Sequence, residues 1–361
     1  MSFYEALLRP SLSSLRAYVP HPVPEGALRF DANESPWALS DDARRAVAEA
    51  VAAAPLHRYP DVRATRLREC VAAREGCHPD CLVFGAGSDE VIALIESALS
   101  RPREGADAAV IVSPTPGFVM YAVTAATLSL RHVGVALDAD WQLDRAAMQR
   151  AVDAHRPSVI FLASPNNPTG AAFRDEDLDA VIVGAPESLV ILDEAYGDFA
   201  AKNYRARFSE TGHVGRLQTL SKVGFAAARC GWAVLPRGLA SEVDKVRQPY
   251  NLSTLSQTVA TLALTTLGAE VDAAIVRVQN ERERLYKALQ NIDGLRVDRS
   301  DANFLFVEAP AGEQLFTRLA ARGLIVRSFH AQGGRMTHRL RITVGTPEEN
   351  ARLVEGLCAS L

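Results

Sequence analysis

Residues 158–196 have the sequence SVIFLASPNNPTGAAFRDEDLDAVIVGAPESLVILDEAY, in which two apolar runs flank an amphipathic stretch. The runs Ser158–Ala163 and Leu189–Asp193 are short and continuously apolar, which is typical of strands buried on both faces of a sheet. The stretch between them, Asp175–Val183, has the apolar spacing of a helix. This order of strand, helix and strand favours an α/β fold with a mostly parallel sheet.

The same alternation extends over the first two thirds of the chain. Further apolar runs of strand length lie at Cys81–Phe84, Ala108–Ser113, Leu217–Leu220 and Gly231–Leu235. Amphipathic stretches such as Asp89–Leu99 separate several of them. We therefore predict a large α/β domain over residues 31–260.

The pattern changes in the last third of the chain. Helical spacing covers Leu255–Leu267, and a longer helix is predicted through Leu289. Shorter strand and helix patterns follow, and a capping box at Thr346–Glu349 marks the start of a final helix. These units predict a smaller α+β domain over residues 261–361. Residues 1–30 contain four prolines and are predicted to be an arm that packs with this domain.

Composition narrows the class of protein. The 361 residues are 48% hydrophobic and carry a formal net charge of -4, so we expect a folded protein that binds neither nucleic acid nor a membrane. We expect neither a disulfide framework, because the number of cysteines is odd, nor a metal, because no second ligand pair accompanies Cys77, His78 and Cys81. The N-terminus has no signal-peptide pattern and no apolar run approaches a membrane span, which predicts a cytoplasmic protein.

Polar residues follow three of the predicted strands. Asn167 lies in the turn after Ser158–Ala163, Asp193 ends the next strand, and Lys222 follows Leu217–Leu220. Each has an ordinary alternative, as a turn residue, a helix cap and a solvated lysine. Ligands of α/β sheets bind at the carboxyl ends of strands, so these side chains are predicted to meet in one cleft.

A glycine-containing turn, Gly85-Ala86-Gly87-Ser88-Asp89-Glu90, follows another predicted strand and precedes a helix. Glycines let the backbone approach a phosphate, and a helix N-terminus offers free N–H donors. Glu90 occupies the position of the third glycine of a dinucleotide fingerprint, so a dehydrogenase is disfavoured. The remaining functional interpretation of this turn is a site for a single phosphate at Gly87 and Ser88, with Arg229 as a charged contact.

The chain resembles the fold-type I aminotransferases that depend on pyridoxal 5'-phosphate (PLP), and within them the histidinol-phosphate aminotransferase branch. The resemblance implies a three-layer αβα large domain with a mostly parallel sheet, a smaller α+β domain and PLP as the cofactor. The segments that carry it run in family order over nearly the whole chain: Asp31–Glu34, Arg58–Pro60, Gly87–Glu90, Ser164–Gly170, Asp193–Tyr196, Thr219–Lys222, Ser221–Arg229 and Leu340–Gly345.

The resemblance also implies roles for individual residues. Lys222 would bind the cofactor as a Schiff base and then act as acid and base. Asp193 would pair with the ring nitrogen, Asn167 and Tyr196 would hold the phenolic oxygen, and Phe118 would stack on the ring. The remaining cofactor-binding residues, most of them at the phosphate, would be Gly87, Ser88, Asp89, Ser221 and Arg229.

Substrate and partner contacts are implied in the same way. Arg341 would bind the amino donor's carboxylate, and Arg327 supplies the second anion-binding group that a phosphorylated substrate needs. Tyr18 and Asn33 would close the site. Tyr59 would reach the active site of the neighbouring subunit, which implies a homodimer.

The predicted reaction is amino transfer between histidinol phosphate and 2-oxoglutarate or glutamate, in histidine biosynthesis. Alternatives are an aromatic or broad-specificity amino-acid aminotransferase and a threonine-phosphate decarboxylase. A non-catalytic PLP-binding regulator would need a DNA-binding extension, and the aminotransferase-like region begins too near residue 1 to leave room for one. His330, Arg335 and His338, between the two arginines, are given no role.

Overall fold

Two β-sheets organise the chain, and the computed structural model describes residues 3, 7–17 and 24–361. In chain order the strands are β1 (Leu28–Phe30), β2 (Leu82–Gly85), β3 (Val110–Thr115), β4 (Arg131–Ala136), β5 (Val159–Ala163), β6 (Leu189–Asp193), β7 (Val214–Thr219), β8 (Gly231–Val234), β9 (Arg296–Asp298), β10 (Phe304–Glu308), β11 (Leu324–Ser328) and β12 (Arg339–Thr343). The helices are α1 (Asp41–Ala52), α2 (Thr65–Glu75), α3 (Ser88–Ala98), α4 (Met120–Thr127), α5 (Arg145–His155), α6 (Asp175–Gly184), α7 (Arg237–Asp244), α8 (Thr254–Leu264), α9 (Gly268–Gln290), α10 (Gly312–Ala321) and α11 (Pro347–Cys358).

The larger sheet has seven strands in the order β2-β8-β7-β6-β5-β3-β4. Neighbours from β7 to β4 are parallel, and β8 is antiparallel to both of its neighbours. The predicted mostly parallel sheet is therefore confirmed. The edge strand β4 was not predicted from the sequence, because it has mostly exposed or half-buried residues and lacks the continuous apolar run of a central strand.

Both faces of this sheet are covered, because alternate side chains of one strand enter different apolar clusters. Val159 and Phe161 of β5 pack in a cluster with residues of α3 and α4. Ile160 and Leu162 pack on the opposite face with residues of α5 and α6. The result is the predicted three-layer αβα arrangement, in which the strand ends lie between two helical layers.

The smaller sheet has five strands in the order β1-β11-β12-β10-β9. β1 is parallel to β11 and the other pairs are antiparallel. Residues 28–30 thus join a sheet whose other strands come from the last third of the chain. The packing of residues 1–30 as an arm on that domain stays a prediction. The domain boundaries after residues 30 and 260 stay a prediction.

The helix predicted over Leu255–Leu267 is wrong at its end, since α8 stops at Leu264 and α9 begins at Gly268 after a bend of 73°. The final helix begins as predicted, because the Thr346 side chain accepts from the Glu349 backbone N–H and the Glu349 carboxylate accepts from the Thr346 N–H. Among the described residues no single helix is long and apolar enough to cross a membrane. The two helices α8 and α9, which meet at a bend, reach the length and apolar composition of a membrane span only when they are taken together.

Candidate active site

A cavity of about 420 Å³ lies where β5, β6 and β7 end. Asn167 from the turn after β5, Asp193 at the end of β6 and Lys222 just after β7 all line it. Strands distant in the sequence thus bring an amide, an acid and an amine together, because parallel strands point their carboxyl ends to one edge of the sheet. The other predicted residues in its wall are Ser88, Asp89, Phe118, Tyr196, Ser221 and Arg229.

Asp193 is the buried acid of this cavity. Its carboxylate accepts from the Tyr121 hydroxyl at 2.6 Å and from the Ala195 backbone N–H at 2.9 Å. Burial raises the pKa of Asp193 to about 6, and the bonds from Tyr121 and Ala195 oppose that rise. A buried carboxylate is stabilised by a nearby cation. Among the described residues, no lysine, arginine or histidine forms an ion pair with Asp193, whereas the neighbouring Glu194 pairs with Arg216.

The Tyr196 hydroxyl is held by two amides. Asn33 Nδ2 donates to it at 2.9 Å, and Asn167 Nδ2 lies within 3.5 Å. A hydroxyl has two acceptor lone pairs and one donor, so its own proton stays available for an oxygen in the cavity. Lys222 Nζ lies 5.7 Å from the centre of the Tyr196 ring.

Asn33 was predicted to close the site on the substrate, and the structure places it beneath Tyr196 instead of in the cavity wall. The side chain is 1% exposed, and its Oδ1 accepts from the Thr343 hydroxyl at 3.0 Å. Its φ of 55° is in the left-handed region, which asparagine tolerates better than most residues. A direct contact between Asn33 and the substrate stays a prediction.

Arg229 and the start of α3 form a cradle for an anion. Arg229 Nη2 donates to the Ala86 carbonyl at 3.0 Å, and Nη1 lies 3.5 Å from the Ser221 hydroxyl oxygen. A Cβ on Gly87 would lie 2.5 Å from Arg229 Nη2, so only glycine leaves room for the guanidinium. The Gly87 N–H already donates to the Gly85 carbonyl, and the donors for an anion are therefore Arg229, Ser221 and the first turn of α3 from Ser88.

The two predicted substrate arginines are neighbours on adjacent strands. Arg327 of β11 and Arg341 of β12 are paired in register. Arg341 is 9% exposed and donates to Asn167 Oδ1 at 2.7 Å and to the Asp31 carbonyl at 2.5 Å, whereas Arg327 is exposed. Like charges directly opposite each other are unfavourable, so the pair is suited to an anion that lies between them.

Tyr59 does not line the cavity of this chain. Tyr59 is 81% exposed and stacks on Tyr250, with ring centres 4.7 Å apart. Tyr18 lies outside the described residues. Of the three residues given no role, Arg335 donates to the Leu137 and Ala139 carbonyls and lies 4.0 Å above the Trp141 ring, which makes it a packing residue.

The cavity fits PLP in its donor set. The Asp193 carboxylate suits a protonated ring nitrogen, the free Tyr196 proton suits a phenolic oxygen, and the Arg229 cradle suits a phosphate. Lys222 supplies the amine that such a cofactor needs for attachment. Among the described residues no group of three or more His, Cys, Asp or Glu side chains could hold a metal ion.

The sheet order and this cavity define an α/β transferase of the PLP-dependent fold type I. The sequence model of the family described as aminotransferase class I and II matches residues 25–357, and the chain belongs to this family.

Two curated relatives with 36–38% identity are histidinol-phosphate aminotransferases. The chain is 38% identical to the histidinol-phosphate aminotransferase of Methylibium petroleiphilum, over 97% of this chain and 93% of that protein. It is 36% identical to histidinol-phosphate aminotransferase 1 of Burkholderia mallei, over the full length of both. The crystal structure of histidinol-phosphate aminotransferase from Sinorhizobium meliloti in complex with PLP is similar in fold, with a TM-score of 0.85, 24% identity, and coverage of 98% of this chain and 97% of that one.

Proposed function

We propose that this chain is a PLP-dependent enzyme that transfers an amino group between histidinol phosphate and 2-oxoglutarate or glutamate, in histidine biosynthesis. One observation carries the choice of substrate: Arg327 and Arg341 lie in register on adjacent strands, and Arg341 donates to Asn167, which lines the cavity together with Lys222. The relatives that share 35–38% identity with almost the whole chain support the same substrate. A cytoplasmic location, predicted from the sequence, is kept as part of this proposal.

The proposed role of each site residue follows from its position in the cavity. PLP, when bound, supplies an electron sink for the substrate's α-carbon. Asp193 holds its ring nitrogen protonated, and Arg229 holds its phosphate. Lys222, whose amine would lie beside that carbon, would act as the base that removes the α-proton and as the acid that delivers it to the new position in the 1,3-proton shift.

Asn167 connects the cofactor end of the site to the substrate end. Its Nδ2 faces the Tyr196 hydroxyl and its Oδ1 accepts from Arg341. An anion bound by Arg341 is therefore fixed relative to the phenolic oxygen that Tyr196 would hold. This coupling places the substrate's α-carbon in one orientation toward Lys222, which is the condition for proton transfer.

Steady-state kinetics on three substrates test the proposed reaction. We expect the highest kcat/KM for histidinol phosphate with 2-oxoglutarate, a lower value for phenylalanine, and no release of CO2 from threonine phosphate. A phenylalanine value above that of histidinol phosphate would point to an aromatic aminotransferase. Release of CO2 from threonine phosphate would point to the decarboxylase.

Arg327→Ala should lower kcat/KM for histidinol phosphate by about tenfold to a hundredfold, because a charge-assisted contact to the phosphate is lost. Half-reaction rates with glutamate should change by less than about threefold, since glutamate has no phosphate and its α-carboxylate is assigned to Arg341. Arg322→Ala, which removes another exposed arginine on the same domain, is the control. Equal losses on both substrates would contradict a phosphate-binding role.

The proposal includes a homodimer in which Tyr59 reaches the partner's cofactor phosphate. The motif resemblance and the exposed, stacked position of Tyr59 support it. We expect a dimer by analytical ultracentrifugation, and a cofactor affinity about tenfold weaker in Tyr59→Phe, from the loss of one bond to a charged group. Tyr250→Phe, which keeps both rings of the stack, should leave the affinity unchanged. A monomer with full cofactor affinity would refute the shared site.

A further inference from the structure

Tyr121 is a buried tyrosine that the resemblance does not assign to the cofactor. It lies on α4, is 1% exposed, and donates its hydroxyl to Asp193 Oδ2 at 2.6 Å. The contact joins residues 72 positions apart in the chain. A deeply buried hydroxyl at this distance from a carboxylate oxygen makes a strong, charge-assisted hydrogen bond.

The ring of Tyr121 is fixed by its neighbours. It stacks on Phe161 of β5, with centres 4.5 Å apart and planes 5° from parallel. It also meets the edge of Phe118, the residue predicted to stack on the cofactor, at 5.5 Å. The hydroxyl therefore has a single position, and a shift of Tyr121 would disturb both Asp193 and Phe118.

We propose that Tyr121 is a positioning residue for the amino-transfer reaction: its hydroxyl orients the Asp193 carboxylate and keeps it ionised for the ring nitrogen of PLP. The inference rests on the proposed cofactor, and it adds a residue that acts on the cofactor through Asp193.

The charges around Asp193 make this bond necessary. Burial raises the pKa of Asp193, and the carboxylates of Asp89 and Glu194 raise it further. Opposing them are the Tyr121 hydroxyl and the Ala195 N–H. Without Tyr121, the Ala195 backbone N–H is the only donor to this carboxylate left among the described residues, so the acid holds its proton to a higher pH.

A second group at the cavity cannot take over this task. Lys222 also lines the cavity, but its amine is assigned to attachment and proton transfer, and its nitrogen lies 5.7 Å from the Tyr196 ring centre. A protonated, neutral Asp193 would not keep the ring nitrogen positively charged. Cofactor affinity must therefore fall as the pH drops through the pKa of Asp193, and it must fall earlier when Tyr121 has no hydroxyl.

The test is cofactor binding as a function of pH, measured by equilibrium dialysis with PLP. Lys222→Ala serves as the parent, so that the cofactor is bound without a covalent bond, and Tyr121→Phe is added to it. We expect affinity to be about tenfold weaker than in the parent at pH 6 and within about twofold of it at pH 9. Comparison at the same pH cancels the ionisation of the cofactor itself.

Two further variants separate the hydroxyl from the packing of the ring. Phe161→Leu loses the aromatic stacking but keeps a large apolar side chain against the Tyr121 ring and keeps the hydroxyl, so the pH at which affinity falls should stay that of the parent. With Asp193→Asn present, Tyr121→Phe should cause no pH-dependent loss, because the group that titrates is gone.

Loss of affinity by the same factor at every pH in Tyr121→Phe would overturn the inference and leave the proposed function intact. A parent that binds no PLP at any pH would instead refute the proposed cofactor. Unfolding midpoints of all variants establish that each is folded before binding is compared.

Discussion

Lys222→Ala should abolish amino transfer with every amino donor. Proton transfer by a positioned side chain alone contributes roughly 10²–10⁴-fold to a rate, and Lys222 is also the assigned attachment point of the cofactor. The visible absorbance of lysine-bound PLP should disappear as well. The measurements are kcat in a coupled glutamate assay and the absorption spectrum of the purified protein.

Lys245→Ala is the matched control for this loss. Lys245 is exposed and pairs with Glu242 at 2.6 Å, one helical turn away on the surface. Its removal should leave both the spectrum and kcat unchanged. Turnover within about tenfold of the parent in Lys222→Ala would contradict the assignment, since another base would then have to do the same work.

Lys222, Asp193 and Asn167 were predictable as a group because each follows an apolar strand. Strand ends are visible in a single sequence, and the rule that ligands bind at the carboxyl ends of parallel strands brings them together. The glycine turn before α3 was visible for a similar reason, because its composition is unusual between a strand and a helix. What the sequence could not give is the geometry between them, such as the bond that links Asn167 to Arg341.

Tyr121 shows what a single sequence leaves out. It lies within an apolar helical stretch, where an aromatic residue is ordinarily a core residue. Only the register of α4 against β5 and β6 reveals that its hydroxyl meets Asp193. Asn33 is a related case: its segment approaches the cavity, but its side chain donates to the Tyr196 hydroxyl and accepts from the Thr343 hydroxyl, and both residues are distant in the sequence.

Arg216 is a further case, since an arginine within a strand suggests an exposed edge. In the structure it is 1% exposed and lies on the central strand β7. Its guanidinium donates to Glu75 at 2.8 Å and to Glu194 at 2.5 Å. Both acids belong to segments distant in the sequence, so neither could be paired with Arg216 from the sequence alone.

The ion network of Arg216, Glu75 and Glu194 lies next to the residues of the candidate active site. Glu194 directly follows Asp193, and its other oxygen accepts from the Tyr204 N–H at 3.1 Å. Burial raises the pKa of Glu194, whereas Arg216 lowers it. The segment that carries Asp193 and Tyr196 is thus held to β7 by the buried ion pair between Glu194 and Arg216.

Arg216→Met should therefore lower the free energy of unfolding at pH 8 by about 3–5 kcal/mol, because the buried Glu194 carboxylate loses its ion pair and Glu75 keeps only the pair with Arg205 at 3.5 Å among the described residues. Burial already raises the pKa of Glu194 above its ordinary value, and without Arg216 it rises further. The folded state of the variant therefore takes up a proton more readily than the unfolded state, and the loss shrinks as the pH is lowered toward 5. Urea unfolding at the two pH values measures both effects. Arg45→Met, which breaks an exposed pair with Asp42, should cost less than about 1 kcal/mol.

A triple variant, Glu75→Leu with Arg216→Met and Glu194→Leu, separates the cost of an unbalanced charge from the cost of lost packing. Since apolar residues of similar size often replace a buried ion network without loss, it should recover most of the stability that Arg216→Met alone gives up. Equal destabilisation in the single and triple variants would mean that the shape of the arginine matters and its charge does not. A loss below about 1 kcal/mol in Arg216→Met at pH 8 would show that the carboxylates find another partner, and the segment carrying Asp193 would then not depend on this arginine.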